Sequence, residues 1–171
     1  GHEASHGFDD QGSQFDGDGN NENWWTKEDR AKFDARTDKL VKQFDAYAPI
    51  PSHPDLHVNG KLTLGENIAD LGGLNIAYDA LQTALKNHPE EAGKKIDGYT
   101  EDQRFFLNWA RVWRGSIRDK AQMVYLNADP HSPEKFRAIG APSNMPAFAT
   151  AFQCKPTDPM VRPADQQVKI W

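Results

Sequence analysis

Apolar residues recur at helical spacing along most of this chain, and prolines and glycines mark the breaks. After Thr26, the positions Phe33, Leu40, Val41 and Phe44 share one helical face. Thr26 with Asp29 three places on predicts a capped start, and Pro49, Pro51 and Pro54 prevent extension past Tyr47. A second helix is predicted from Leu64 to Leu85, with Ile68, Leu71, Ile76 and Leu81 as apolar positions and Pro89 as its stop. Its Gly72-Gly73 pair costs about 1 kcal/mol per glycine relative to alanine, which predicts that another backbone packs close there.

Thr100 and Gln103 form a capping-box pattern ahead of Phe105, Phe106, Trp109, Val112 and Trp113, a stripe that reads as core. Further helices are predicted over Ile117–Leu126, over a short segment from Ser132-Pro133 to Ile139, and over Pro146–Phe152. In the second of these, Ser132 serves as N-cap, Pro133 as first helical residue and Gly140 as stop. Residues 1–8 read as the end of a helix, 9–25 as a polar loop, and 48–63 as a loop with room for a short strand at Leu56–Val58. The tail to Trp171 reads as irregular. The expected architecture is mainly α, with little strand, over a single unit at residues 1–171.

A net charge of −5 argues against a nucleic-acid surface, which needs clustered Lys and Arg. No apolar run approaches the roughly 18 residues that span a bilayer. The single cysteine, Cys154, cannot form a bridge within the chain. It is either a buried free thiol or the partner of a cysteine outside these residues. His53, His57 and His88 lie in loops without a partner pattern and read as surface residues. The run Asp16-Gly17-Asp18-Gly19-Asn20 resembles the start of a calcium loop, but Asn21 stands where that loop needs Gly and Lys27 where it needs Glu. It reads as a solvated turn.

The chemistry concentrates at His2-Glu3-Ala4-Ser5-His6. On a helix, histidines at i and i+4 share a face, and two neutral imidazoles there can take two of the four positions around Zn²⁺. Glu3, beside His2, is placed to act as general base on a metal-bound water. Taken alone, the same run is also two surface histidines at a helix end. Such a pair needs a rigid helix, yet His2 is the second residue, so Gly1 is expected to be a cut in a longer chain. Glu66 and Asp70 sit at i and i+4 on the Ala- and Gly-rich second helix. Buried carboxylates there need partners. One could ligate zinc and the other accept a hydrogen bond from a ligating histidine; the plain alternative is an exposed acidic pair.

The strings GHEASHGFDD, LTLGENIADLGGL, FFLNWARVW and ADPHSPEKFR, with the terminal Trp171, run in order over essentially the whole chain. Together they resemble the neprilysin and endothelin-converting enzyme family of zinc endopeptidases. The resemblance implies the C-terminal part of a thermolysin-like gluzincin catalytic domain that binds one Zn²⁺ per chain and hydrolyses short peptides. It implies His2, His6 and Glu66 as zinc ligands and Glu3 as general base. Asp70 would orient one zinc-bound histidine and Asp9 the other. His131 would donate to the tetrahedral oxyanion, and Arg137 would bind a substrate carbonyl. By themselves, His131 before a short helix and Arg137 six residues on are compatible with those roles and equally with an ordinary surface.

The resemblance further implies an upstream portion that closes over the cleft and hydrogen-bonds the peptide, and a location outside the cytoplasm. The chain departs from vertebrate members, which end Cys-Arg-Val-Trp and pair that cysteine near the position of Lys39. Here the tail is Val168-Lys169-Ile170-Trp171, no cysteine lies near Lys39, and Arg114 replaces another family cysteine. This pattern suits a simpler, bacterial member. Cys154 stands where those relatives have a bridged cysteine. The alternative reading is a zinc-stabilised, non-catalytic module that binds peptides.

Overall fold

The computed structural model describes residues 1–171 as α-helices joined by turns and two isolated antiparallel bridges, Phe15–Asn21 and Ile96–Tyr99. In chain order the helices are α1 (His2–Ser5), α2 (Lys27–Asp45), α3 (Leu64–Asn87), α4 (Glu101–Val112), α5 (Asp119–Ala128), α6 (Glu134–Gly140) and α7 (Pro146–Ala151). Two starts follow the local chemistry read from the sequence. Thr26 accepts from the Asp29 amide at the head of α2, and Thr100 and Gln103 form the reciprocal capping box of α4.

The core gathers one face from each long helix. Leu64, Ile68, Leu71 and Leu74 of α3 meet Phe33, Leu40 and Phe44 of α2, Phe106 of α4, Phe136 of α6 and, from the tail, Val168 and Ile170. Burying a side chain such as Ile68 or Leu71 contributes about 1.5–3 kcal/mol. The irregular tail is held as firmly as a helix. Arg36 donates to the Ile170 carbonyl at 2.7 Å, and the Asn144 side chain accepts from the Val168 amide at 3.0 Å. Gln43, an unremarkable polar residue in the sequence, is buried. It bonds Tyr47, Ser143 and the Gly140 carbonyl, and accepts from Asn144, so it satisfies the turn after α6 from within α2.

Several expectations are corrected. No strand forms at 56–58; Val58 makes a single backbone bond to Tyr47 and has no ladder neighbour. The stripe on α4 is only half core. Phe106 is buried and Phe105 and Trp109 pack against the core, but Val112 is 67% exposed. The second half of α3 is likewise open on one face, with Ile76 at 50% exposure, because α4 covers only the face that carries Tyr78 and Gln82. Ser132 does not cap α6. Pro133 holds that position without a side-chain bond, while Ser132 reaches across to Asn67. Gly140 is the last residue of α6, and the Phe44 ring occupies the space a Cβ would need, so close approach rather than helix termination demands glycine. Cys154 is half-buried rather than fully buried and has no partner cysteine within these residues.

The Gly72-Gly73 pair does what its cost predicts. A Cβ on Gly73 would lie 2.6 Å from the His2 nitrogen, and one on Gly72 would lie 2.9 Å from both Ser5 Oγ and the Trp171 ring. The backbone of α1 therefore rests directly on α3, and the terminal tryptophan closes the seam against Phe8 and Phe33. A glycine-to-alanine change inside an exposed helix ordinarily gains up to about 1 kcal/mol. At Gly73 the sign reverses: Gly73→Ala loses about 1–3 kcal/mol through overpacking. Chemical denaturation of the intact protein checks this, with Ala77→Gly on the exposed turn of the same helix as the ordinary case.

Candidate metal centre and active site

The first turn, α1, continues as a 3₁₀ turn over His6–Phe8, so His2 and His6 end one above the other. Their rings meet edge to face at 4.8 Å between centroids, and their Nε2 atoms are 3.2 Å apart. Behind each ring stands a buried carboxylate. His2 Nδ1 lies 3.0 Å from Asp70 Oδ1, and His6 Nδ1 lies 2.8 Å from Asp9 Oδ2. The other Asp9 oxygen accepts from the Gln11 and Gly12 amides at 2.8 Å each, which locks the loop under His6. Its hydrogen bond to Asp9, helped by Glu66 and Glu3 and opposed by burial, raises the pKa of His6 above its ordinary value. Glu66, from the first turn of α3, completes the group: Oε2 is 3.3 Å from His2 Nε2 and Oε1 is 3.5 Å from His6 Nε2.

These distances test whether a metal fits. Each histidine faces a carboxylate with Nδ1, so in the neutral ring Nδ1 carries the proton and Nε2 presents its lone pair. Two lone pairs and a carboxylate then point at a common space, an arrangement that repels itself without a cation between. A tetrahedron with Zn–N and Zn–O bonds near 2.0–2.1 Å has edges of about 3.3–3.4 Å. The 3.2 Å between the two Nε2 atoms is close to one such edge, and the two Glu66 oxygens lie at edge-like distances, Oε2 at 3.3 Å from His2 and Oε1 at 3.5 Å from His6. The ligand atoms of His2, His6 and Glu66 all lie within 4.8 Å of one another. The donor set thus fits zinc and leaves a fourth position.

Glu3 is exposed on the same short helix, and its side chain makes no hydrogen bond or ion pair within the chain. Arg137 is buried, at 7% exposure, and lies against the ligand set rather than apart from it. Its Nε and Nη2 form a fork to Asp70 at 2.7 and 2.8 Å, and Nη2 also donates to Glu66 at 3.2 Å. Nη1 donates to no group of the chain, so one edge of the guanidinium stays available.

Two residues that read as core stripe hold this arginine. The Trp113 ring lies 4.0 Å from the guanidinium carbon, and Trp109 Nε1 donates to the Arg137 carbonyl at 3.2 Å. Helical periodicity alone could not separate these tryptophans from packing residues. Asp129 was also missed. It accepts from the His131 amide at 2.9 Å and from His131 Nδ1 at 2.7 Å, and these bonds, the backbone one foremost, hold its carboxyl below the usual range. The Asp-x-His spacing was the available signal. His131 Nε2 in turn reaches within 3.3 Å of Glu66 Oε1. A cavity of about 230 Å³, lined in part by Trp113, Ile117, Tyr125, His131 and Arg137, opens beside these groups.

Residues 1–168 match the profile of peptidase family M13. The chain belongs to that family. It is 44% identical to neprilysin-11 of Caenorhabditis elegans over 172 aligned positions, covering 100% of this chain and 20% of that protein. It is 41% identical to human endothelin-converting enzyme 1 over 171 positions, again 100% of this chain and 21% of the relative. Among solved structures, the M13 chain superposes on the zinc metalloprotease Zmp1 of Mycobacterium tuberculosis, in complex with an inhibitor. The TM-score is 0.94 and the identity 45%, over 100% of this chain and 26% of that one. PepO from Lactobacillus rhamnosis gives a TM-score of 0.82 at 34% identity, with 100% and 25% coverage. The M13 chain therefore spans about a fifth of the length of these curated relatives and a quarter of these solved chains. Its mainly helical fold, free of strands, is that of M13 peptidases. No helix is long and apolar enough to cross a membrane.

The carboxylates behind the ligands have separable consequences. Asp9→Asn lowers zinc affinity about 10- to 100-fold, the usual cost of losing a partner behind a ligating histidine, with little loss of fold. Asp70→Asn lowers affinity similarly and also strips the buried Arg137 of its forked carboxylate, leaving only the longer bond to Glu66, which costs stability toward the about 3–5 kcal/mol of a broken buried pair. Chelator competition and chemical denaturation of the two variants distinguish these outcomes.

Proposed function

We propose that the protein is a zinc-dependent endopeptidase that hydrolyses short peptides, with His2, His6 and Glu66 as the ligands of one Zn²⁺. The observation that carries this reading is the convergence of the His2 and His6 Nε2 atoms, 3.2 Å apart, with the Glu66 carboxylate 3.3 and 3.5 Å from them, and an acidic side chain, Glu3, on the same helix. Membership in a peptidase family and the likeness to a zinc metalloprotease support it. Zinc, when held there, supplies Lewis-acid polarisation of the scissile carbonyl and acidifies water.

The chain's own groups supply the rest. Glu3, as carboxylate, takes a proton from the attacking water and passes it to the departing amine, so that one water is consumed and two peptide ends are formed. His131 gives Nδ1–H to Asp129, so its Nε2 donates only when the ring carries both protons. Asp129, ionised and 2.7 Å away, is the counter-charge for that state. A donor so placed stabilises the oxyanion that develops on the carbonyl. Arg137 already spends one edge on Asp70 and Glu66, and its free Nη1 is the edge for a substrate carbonyl. Asp70 and Asp9 keep the ligating rings in their tautomer. On the resemblance to the neprilysin family we place the protein outside the cytoplasm.

Glu3→Gln retains zinc while peptide hydrolysis falls by at least about 100-fold, the lower end of the range for loss of a general base; Glu66→Ala loses the metal itself. Metal analysis and cleavage of an internally quenched peptide by the intact protein check both. Undiminished hydrolysis by Glu3→Gln overturns the mechanism. A zinc-loaded wild type that binds the peptide without cleaving it instead establishes a non-catalytic module.

A further inference from the structure

The metal ligands and the oxyanion donor come from separate parts of the chain, and something must set one against the other. His131 sits on a loop, and its side chain is half-exposed. Asp129 fixes the ring to that loop but is itself part of it, so it says nothing about where the loop lies relative to α3. The link is made by the next residue. Ser132 Oγ donates to Asn67 Oδ1 at 2.8 Å, across 65 positions of sequence, and the two residues are only 3% and 2% exposed. Asn67 follows the ligand Glu66 directly, as Ser132 follows His131. Asn67 Nδ2 then donates to Thr63 Oγ1 at 3.0 Å, and Thr63 Oγ1 donates to the Asn59 carbonyl at 3.0 Å. The chain of bonds ends on the backbone ahead of α3.

Apolar packing could hold the loop against α3, but it is tolerant of small slides. A buried hydroxyl–amide bond is not, because any slide leaves two desolvated polar atoms without partners. This explains why Ser132 leaves α6 uncapped: its hydroxyl is committed elsewhere. We propose that Ser132 and Asn67 are positioning residues for the hydrolytic reaction, holding His131 in register with Glu66 so that Nε2 points at the reacting carbonyl. The inference rests on the catalytic reading given above, in which His131 stabilises the oxyanion.

The test uses the intact, zinc-loaded protein and compares Ser132→Ala, Asn67→Leu, the double variant, Ser132→Thr and His131→Ala. Ser132→Ala and Asn67→Leu should each lower kcat about 10- to 100-fold, the scale of a displacement near 1 Å, with KM and zinc affinity held within about twofold. The double variant should be no worse than the poorer single one, and Ser132→Thr should recover most of kcat. In the His131→Ala background, Ser132→Ala should have no further effect on kcat. In the metal-free protein, the NMR signal of His131 Nε2, which faces Glu66, should shift in Ser132→Ala and return in Ser132→Thr, while that of Nδ1, held by Asp129 within the loop, stays in place. Should His131→Ala lower kcat while Ser132→Ala and Asn67→Leu do not, the positioning role is wrong. A Ser132→Ala loss that persists undiminished in the His131→Ala background overturns it as well, since the bond would then serve the fold at large. An unchanged kcat in His131→Ala itself instead removes the catalytic reading beneath it.

Discussion

A four-residue helix cannot hold a geometry by itself. Helix nucleation is unfavourable, and stretches this short gain their order from what they pack against. For α1 that support is the glycine face of α3, where the His2 backbone lies at a distance no Cβ would permit. The contact fixes both the height and the tilt of α1, and with them the separation of His2 and His6 from Glu66 two turns back along α3. Ser5 against Gly72 and Trp171 over the same seam complete the clamp. The N-terminal turn, the longest helix and the last residue of the chain thus meet at one point, and the donor triangle is a consequence of that meeting.

Electrostatics takes over where packing stops. Glu3, Asp9, Glu66, Asp70 and Asp129 surround the site, and Arg137 is the one permanently charged cation bonded among them. Such an excess of carboxylates is costly when partly buried. Three of the acids have their own compensation: backbone amides and His6 for Asp9, the arginine fork and His2 for Asp70, the amide and ring of His131 for Asp129. Glu66 alone faces three imidazoles and Arg137 at distances of 3.2–3.5 Å, looser than those other pairs. A divalent cation placed among these groups would offset that remaining imbalance.

The α4 helix shows how one pattern serves two ends. Phe106 turns inward to the core, whereas Trp109 and Trp113, one and two turns on, reach over to α6 and hold Arg137 at its carbonyl and its guanidinium. Packing and chemistry share one stripe there. The core therefore supports the site through α4 as directly as through α3, although no residue of α4 touches the donor triangle.

By itself, the sequence determined the helical class, the capped starts of α2 and α4 and the close approach at Gly72-Gly73, because these depend on neighbours in sequence or on a local cost that must be offset. It also determined the candidate chemistry of His2, Glu3, His6, Glu66 and Asp70, since spacing of i and i+4 carries directly into a shared helical face. Only the tertiary structure decided which atoms meet. It turned Asp70 toward both His2 and Arg137, buried Arg137 against Glu66, and committed Ser132 to Asn67 instead of to its own helix. It also opened Val112 and Ile76 to solvent on faces that periodicity assigns to the core. Periodicity identifies a face, but which face finds a partner depends on contacts more than sixty residues apart. Those are set by the packing of whole helices and leave no local trace in the chain.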